Sequence, residues 1–122
     1  FGHRYMYTFA KAVDTDKMIT AAEQLLGRHD FVGFSSLKRV KKSTVRTVTD
    51  VRIERIGNEL RMTFVGDGFL YNSVRIMAGT LLEIGCGARD EECIRTVFNT
   101  KQRAAAGETL PAKGLTLMSV EY

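Results

Sequence analysis

Gly68 to Leu82 reads GFLYNSVRIMAGTLL, and Arg75 is the only charged residue in that stretch, with Asp67 and Glu83 bracketing it. Leu70, Val74, Met77, Ala78 and Leu81 recur at helical spacing, while Ile76 and Leu82 carry apolar surface beyond the stripe. A helix apolar around most of its circumference is expected to be buried. A guanidinium on such a helix needs an anion or a wet cleft, because an unpaired buried charge is strongly destabilising. One reading has Arg75 snorkelling to solvent or pairing with a core acid such as Asp30, Asp50 or Glu83. The other has it facing a cleft where an anionic reactant or a catalytic carboxylate sits, supplied from outside this chain. Tyr71, one turn earlier, would share a stripe with Arg75, Ala78 and Leu82, which suits a base-binding pocket and suits plain packing equally well.

Around this helix the hydrophobic period changes. Arg4 to Phe9 alternates Tyr5, Tyr7 and Phe9 with other residues and predicts a strand. Thr15 or Asp14 can cap a helix whose stripe is Met18, Ala21, Ala22, Leu25 and Leu26, ending at Gly27. His29-Asp30-Phe31 and Gly33-Phe34 suggest a compact turn. Val45 to Ile56 alternates Thr47, Thr49, Val51 and Ile53, then turns at Gly57-Asn58 into a returning strand with Leu60, Met62 and Phe64 on one face. Gly66-Asp67-Gly68 breaks that strand and leads into the Arg75 helix. Asp90 caps a further helix with Cys93, Ile94, Val97 and Phe98 inward, Lys101 to Gly107 can form one more helical piece, and Leu115 to Tyr122 forms a last strand. The expected fold is α+β: an antiparallel sheet of about four strands with helices packed on it, in a split βαβ-like order.

The 122 residues suit a single domain spanning 1–122, and a hydrophobic fraction of 44% with 26% charged residues is ordinary for a globular protein. No apolar run reaches membrane-spanning length, and the chain does not open on a signal-peptide pattern. Cys86 and Cys93 lack metal-like or CxxC spacing and suggest core or near-core thiols of a reducing, cytoplasmic compartment. His3 and His29 are the only imidazoles, so no bound metal is expected. The net charge of +4 is concentrated: between Phe31 and Thr49 there are no acids and five bases, Lys38, Arg39, Lys41, Lys42 and Arg46. Without those five the chain has 13 bases against 14 acids. Such single-sign clustering is the electrostatic footprint of phosphate binding, so nucleic acid is the expected partner. No serine triad, phosphate loop or carboxylate pair forms a self-contained active site.

Phe69 to Gly85, FLYNSVRIMAGTLLEIG, resembles the signature FLxxMVRxxxGxLLxxG of TruA-type tRNA pseudouridine synthases. Gly27-Arg28-His29-Asp30-Phe31 with Phe34 resembles that family's GxHDFxxF turn. Val45-Arg46 resembles its TVR step, and Pro111-Ala112-Lys113-Gly114-Leu115 with Val120 and Tyr122 its closing PAxGLxLxxVxY. Ser73 stands where methionine is usual in the family, and Leu110 where alanine is usual. The resemblance covers essentially the whole chain.

The resemblance implies the C-terminal domain of an isomerase that converts uridine to pseudouridine in the anticodon stem-loop of tRNA, without cofactor or metal. It implies that Arg75 pairs with a catalytic aspartate carried in a GRTDxGVHA motif of an N-terminal domain that this chain lacks. None of Asp14, Asp16, Asp30, Asp50, Asp67 or Asp90 lies in such a motif. Phe69 and Tyr71 are then candidates for the pocket that receives the flipped base, the basic segment for the tRNA-binding surface, and the intact enzyme for a homodimer. The alternative is a non-catalytic RRM-like RNA-binding module or a dimerisation domain. Against the RRM-like reading, Arg61 to Gly66 lacks the aromatic-rich pattern of an RNA-stacking strand.

Overall fold

The computed structural model describes residues 2–9, 14–36, 43–56, 59–70, 72–110 and 115–121, with side chains described for 14–36, 43–55, 59–70 and 72–110. In chain order the elements are β1 (Gly2–Phe9), α1 (Thr15–Ala22), β2 (Gly27–Asp30), β3 (Val45–Ile56), β4 (Glu59–Gly66), α2 (Ser73–Gly85), α3 (Cys93–Thr100) and β5 (Leu115–Glu121), with 3₁₀ turns at 23–25, 32–34 and 103–105. The sheet runs β2-β3-β4-β1-β5, and every neighbouring pair is antiparallel. The first strand therefore lies between β4 and the last strand, so the two ends of the chain are hydrogen-bonded side by side. This is the expected α+β class.

The fifth strand comes from β2. Gly27 to Asp30 pairs with Val48 to Val45, where the sequence suggested only a compact turn. Four residues are too few to show a period, and their pairing is decided by β3 rather than by their own pattern. β3 departs from simple alternation as well. Its register against β4 slips between Val48 and Asp50, leaving Thr49 as the extra residue of a bulge. The bulge reverses which parity faces the core: Val48 is buried before it, and Ile53 after it. Leu60, Met62 and Phe64 of β4 are fully buried on one face, as the alternation predicts.

Over this face lie the helices. Asp14 caps α1 by accepting from the Lys17 N–H at 3.2 Å, and the Asp14 N–H donates to the Gly85 carbonyl at 3.0 Å, tying the start of α1 to the end of α2. Met18, Ala21, Ala22 and Leu25 are buried in the same cluster as Val74, Ile76, Met77, Ala78, Leu81 and Ile84 of α2. Each large side chain so enclosed contributes about 1.5–3 kcal/mol. Asp90 does not itself cap α3. Its carboxylate accepts from the Glu92 N–H and its carbonyl from the Cys93 N–H, shaping the turn that precedes the helix. Of the two free thiols, Cys93 is partly buried and Cys86 exposed, so Cys86 is not a core residue: it follows the last turn of α2, beyond the packed face.

A strap at 105–110 crosses the outer side of α2. Gly107 N–H donates to the Thr80 hydroxyl at 2.8 Å, and that hydroxyl donates to the Ile76 carbonyl at 2.8 Å. Glu83 pairs with Arg89, which also donates to the Ala105 carbonyl. Gly79 is where the strap passes closest: a Cβ there would lie 1.8 Å from the Glu108 carbonyl oxygen. Gly79→Ala must therefore displace the strap or the helix, and we expect a destabilisation of about 1–3 kcal/mol, read by denaturant titration. An unchanged unfolding midpoint would mean that the strap does not cross there.

A candidate active-site arginine and its supports

The approach to α2 is built by β3. Thr47 N–H donates to the Asp67 carboxylate at 2.9 Å, and Asp67 N–H returns a bond to the Thr47 carbonyl at 3.0 Å. Gly66 fits because any Cβ would lie 2.7 Å from that same carbonyl. The Gly66-Asp67-Gly68 break is thus a turn clipped to the neighbouring strand. The helix starts later than the apolar run does. Asn72 has φ 62° and ψ 7°, a left-handed conformation from which Ser73 begins the first helical turn.

Arg75, in that first turn, is partly buried. Its Nε donates to the Leu110 carbonyl at 2.6 Å, its Nη1 donates to Asn72 Oδ1 at 2.9 Å, and its own carbonyl accepts from the Leu110 N–H at 3.2 Å. Both side-chain acceptors are neutral. The three acids that could have paired with it are engaged elsewhere: Asp30 with Lys101 at 3.7 Å, Asp50 with Arg52 at 2.7 Å, and Glu83 with Arg89. Of the chain's 14 acids only Glu121 lacks a described side chain, and none of the others forms an ion pair with Arg75. Among the described residues, then, Arg75 is fixed in direction and retains an uncompensated charge.

The other expected site residues fall unevenly. Phe69 is partly buried and packs against the core, its ring beside Gly66. Arg46 lies next to Gly68, with its Nη1 donating at 2.8 Å to the carbonyls of Ser43 and Val45. Lys38, Arg39, Lys41, Lys42 and Tyr71 lie outside the described residues. Two contributors to the site were not singled out from sequence: Asn72, whose amide reaches both Arg75 and, through Nδ2 at 3.2 Å, the Ser36 hydroxyl, and the backbone carbonyl of Leu110. Among the described residues no three His, Cys, Asp or Glu side chains converge as metal ligands would.

The His29-Asp30-Phe31 turn has a structural role. His29 stacks on Phe98 with ring centroids 4.3 Å apart, and Phe31 and Phe34 meet the same ring edge-on. Asp30 Oδ1 accepts from the Thr44 hydroxyl at 2.6 Å and the Val32 N–H at 3.1 Å, fastening the turn to the start of β3. Burial raises the pKa of Asp30, but the Thr44 and Val32 hydrogen bonds and Lys101 together outweigh it and leave the carboxyl below its ordinary value. A depressed folded-state pKa stabilises the fold above the unfolded value and loses that contribution as pH falls through the folded one. Asp30→Asn should therefore lower stability at neutral pH by about 1–3 kcal/mol and flatten the loss of stability below about pH 4. Parallel wild-type and variant curves against pH would refute this assignment.

A family model described as tRNA pseudouridine synthase matches residues 21–122. The chain is 45% identical over its whole length to a tRNA pseudouridine synthase A of Brevibacillus brevis, covering 50% of that protein. It is 40% identical over 99% of its length to one from Clostridium kluyveri, covering 50% of it, and 45% identical over 94% of its length to one from Halalkalibacterium halodurans, covering 44% of it. The chain thus spans about half the length of these curated relatives.

Proposed function

The chain belongs to the tRNA pseudouridine synthase family, and on that footing we propose that it is the C-terminal domain of an enzyme that isomerises uridine to pseudouridine in the anticodon stem-loop of tRNA. The observation that carries this reading is the Arg75 guanidinium, oriented by two neutral acceptors and without an acid of its own among the described residues. The relatives' additional length supports placing the catalytic aspartate on a part of the protein outside residues 1–122. Arg75 holds that aspartate ionised and directed at the sugar, since a cation within about 4–6 Å lowers a carboxylate pKa by 1–3 units. The aspartate attacks the sugar C1′ and the N1–C1′ bond breaks. The released base rotates, its C5 bonds to C1′ as the carboxylate leaves, and C5 loses a proton while N1 takes one up, so product and substrate are isomers and no cofactor is consumed.

The target uridine leaves the stack to reach the pocket, which Phe69 and Tyr71 help to line. Lys38, Arg39, Lys41, Lys42 and Arg46 hold tRNA phosphates. Such contacts position the RNA, while the choice of uridine comes from its shape and the flipped base. The enzyme works in the cytoplasm as a homodimer.

Two outcomes follow for the full-length protein. Arg75→Ala should lower turnover by at least about 10²–10³-fold with the fold intact. Retained pseudouridine formation would contradict the ion-pair role. Replacing Lys41 and Lys42 together by alanine should weaken tRNA binding and reduce the magnitude of the slope of log affinity against log salt by about 1–2. An unchanged slope would remove this segment from the tRNA surface.

A further inference from the structure

The residue immediately before α2 stands where a helix cap is expected, yet Asn72 does not cap the helix. Its backbone lies at φ 62°, and its amide faces away from the helix N–H groups, accepting from Arg75 Nη1 and donating to the Ser36 hydroxyl. Two favourable options are forgone together: an ordinary backbone and a capping bond. Such a cost is met where the surrounding structure uses the side chain for something else. We propose that Asn72 is a positioning residue for the reaction, aiming the Arg75 guanidinium while leaving its charge available to an external carboxylate.

The identity of the residue follows from this task. Gly, Asn and Asp are the residues that enter the left-handed region most readily. Glycine would accept the backbone but supply no acceptor for Nη1. Aspartate would supply the acceptor, but as an anion it would pair with Arg75 at the 2.9 Å contact now made by a neutral oxygen, and it would lose the donor that Ser36 receives. Asparagine combines the permitted backbone, a neutral acceptor and a donor. Ser36 braces the amide from the segment after the 32–34 turn, so the guanidinium is held through a link that does not pass through the α2 backbone. Leu110 holds Nε from the opposite side of the sequence. With Nε and Nη1 both engaged, the rotation of the guanidinium about its own bonds is fixed.

This proposal rests on the reading of Arg75 as the partner of a carboxylate outside the chain, and its test separates the two. In this chain, nitrogen-15 NMR of the Arg75 guanidinium should show restricted rotation in the wild type and fast rotation in Asn72→Gly, a variant whose backbone accepts φ 62° without strain. Unchanged rotation overturns the proposal whatever Arg75 does in catalysis. In the full-length enzyme, Asn72→Asp should lower kcat by about tenfold or more with KM for tRNA little changed, because the fold is kept while the charge is neutralised. Wild-type kcat in Asn72→Asp also overturns it, since a merely structural acceptor would be replaced without loss. Full activity of Arg75→Ala would instead count against the parent reading, while the guanidinium measurement would still decide the role of Asn72.

Discussion

Residues 75 and 110 are bonded to each other twice, once when the Leu110 N–H reaches the Arg75 carbonyl and once when the Arg75 Nε reaches the Leu110 carbonyl. The pair joins the first turn of α2 to the end of the strap that leads towards β5. That strap can lie so close because Gly79 has no side chain, because Thr80 offers its hydroxyl to Gly107, and because Arg89 bridges Glu83 and the Ala105 carbonyl. Helix, strap and arginine are therefore one mechanical unit. A guanidinium on an exposed helix would sweep through its rotamers and bring little directed field to any reactant. Here the contacts that close the fold are the contacts that aim the charge.

The electrostatics of the domain follow the same division. Four cation–acid pairs form among the described side chains: Arg52 with Asp50, Arg89 with Glu83, Arg95 with Glu92, Lys101 with Asp30. Most of these are exposed and add little to stability. Arg75, like Arg46 and Arg103, is met by neutral oxygens, which satisfy its N–H groups without cancelling its charge, and unlike Arg46 it holds them from a largely apolar helix. Hydrogen bonding lowers the cost of partial burial and leaves the charge in place. At about 4 Å and an effective dielectric near 20, such a charge acts on a carboxylate with on the order of 4 kcal/mol, enough to keep it ionised.

How much of this was legible beforehand depends on whether the signal is periodic. The α2 stripe, the Leu60-Met62-Phe64 face and the α3 positions Ile94 and Val97 carry repeats of 3.6 or 2, and all of them are buried. Arg75 was visible because it interrupts such a pattern. β2 was not, since its four residues acquire their conformation from β3. The Thr49 bulge was hidden because Thr47, Thr49, Val51 and Ile53 alternate without a break in sequence while the register slips beneath them. Asn72 looked like an interior residue of the Arg75 stretch, and nothing local marks an asparagine whose amide links the side chain three residues on to one 36 residues back. The Leu110 carbonyl carries no side-chain signal at all, since every residue presents the same backbone oxygen. Backbone acceptors and single-residue strain are tertiary decisions, and a one-dimensional pattern does not encode them.

The central claim is that Arg75 is completed by a carboxylate that residues 1–122 do not supply. A crystal structure of the full-length protein tests it most directly, by the atoms found opposite the guanidinium. The account predicts a carboxylate oxygen from outside these residues within about 4 Å of Arg75, with the Leu110 and Asn72 bonds retained. An Arg75 salt-bridged to an acid of its own domain, or turned into solvent with those two bonds broken, would contradict it.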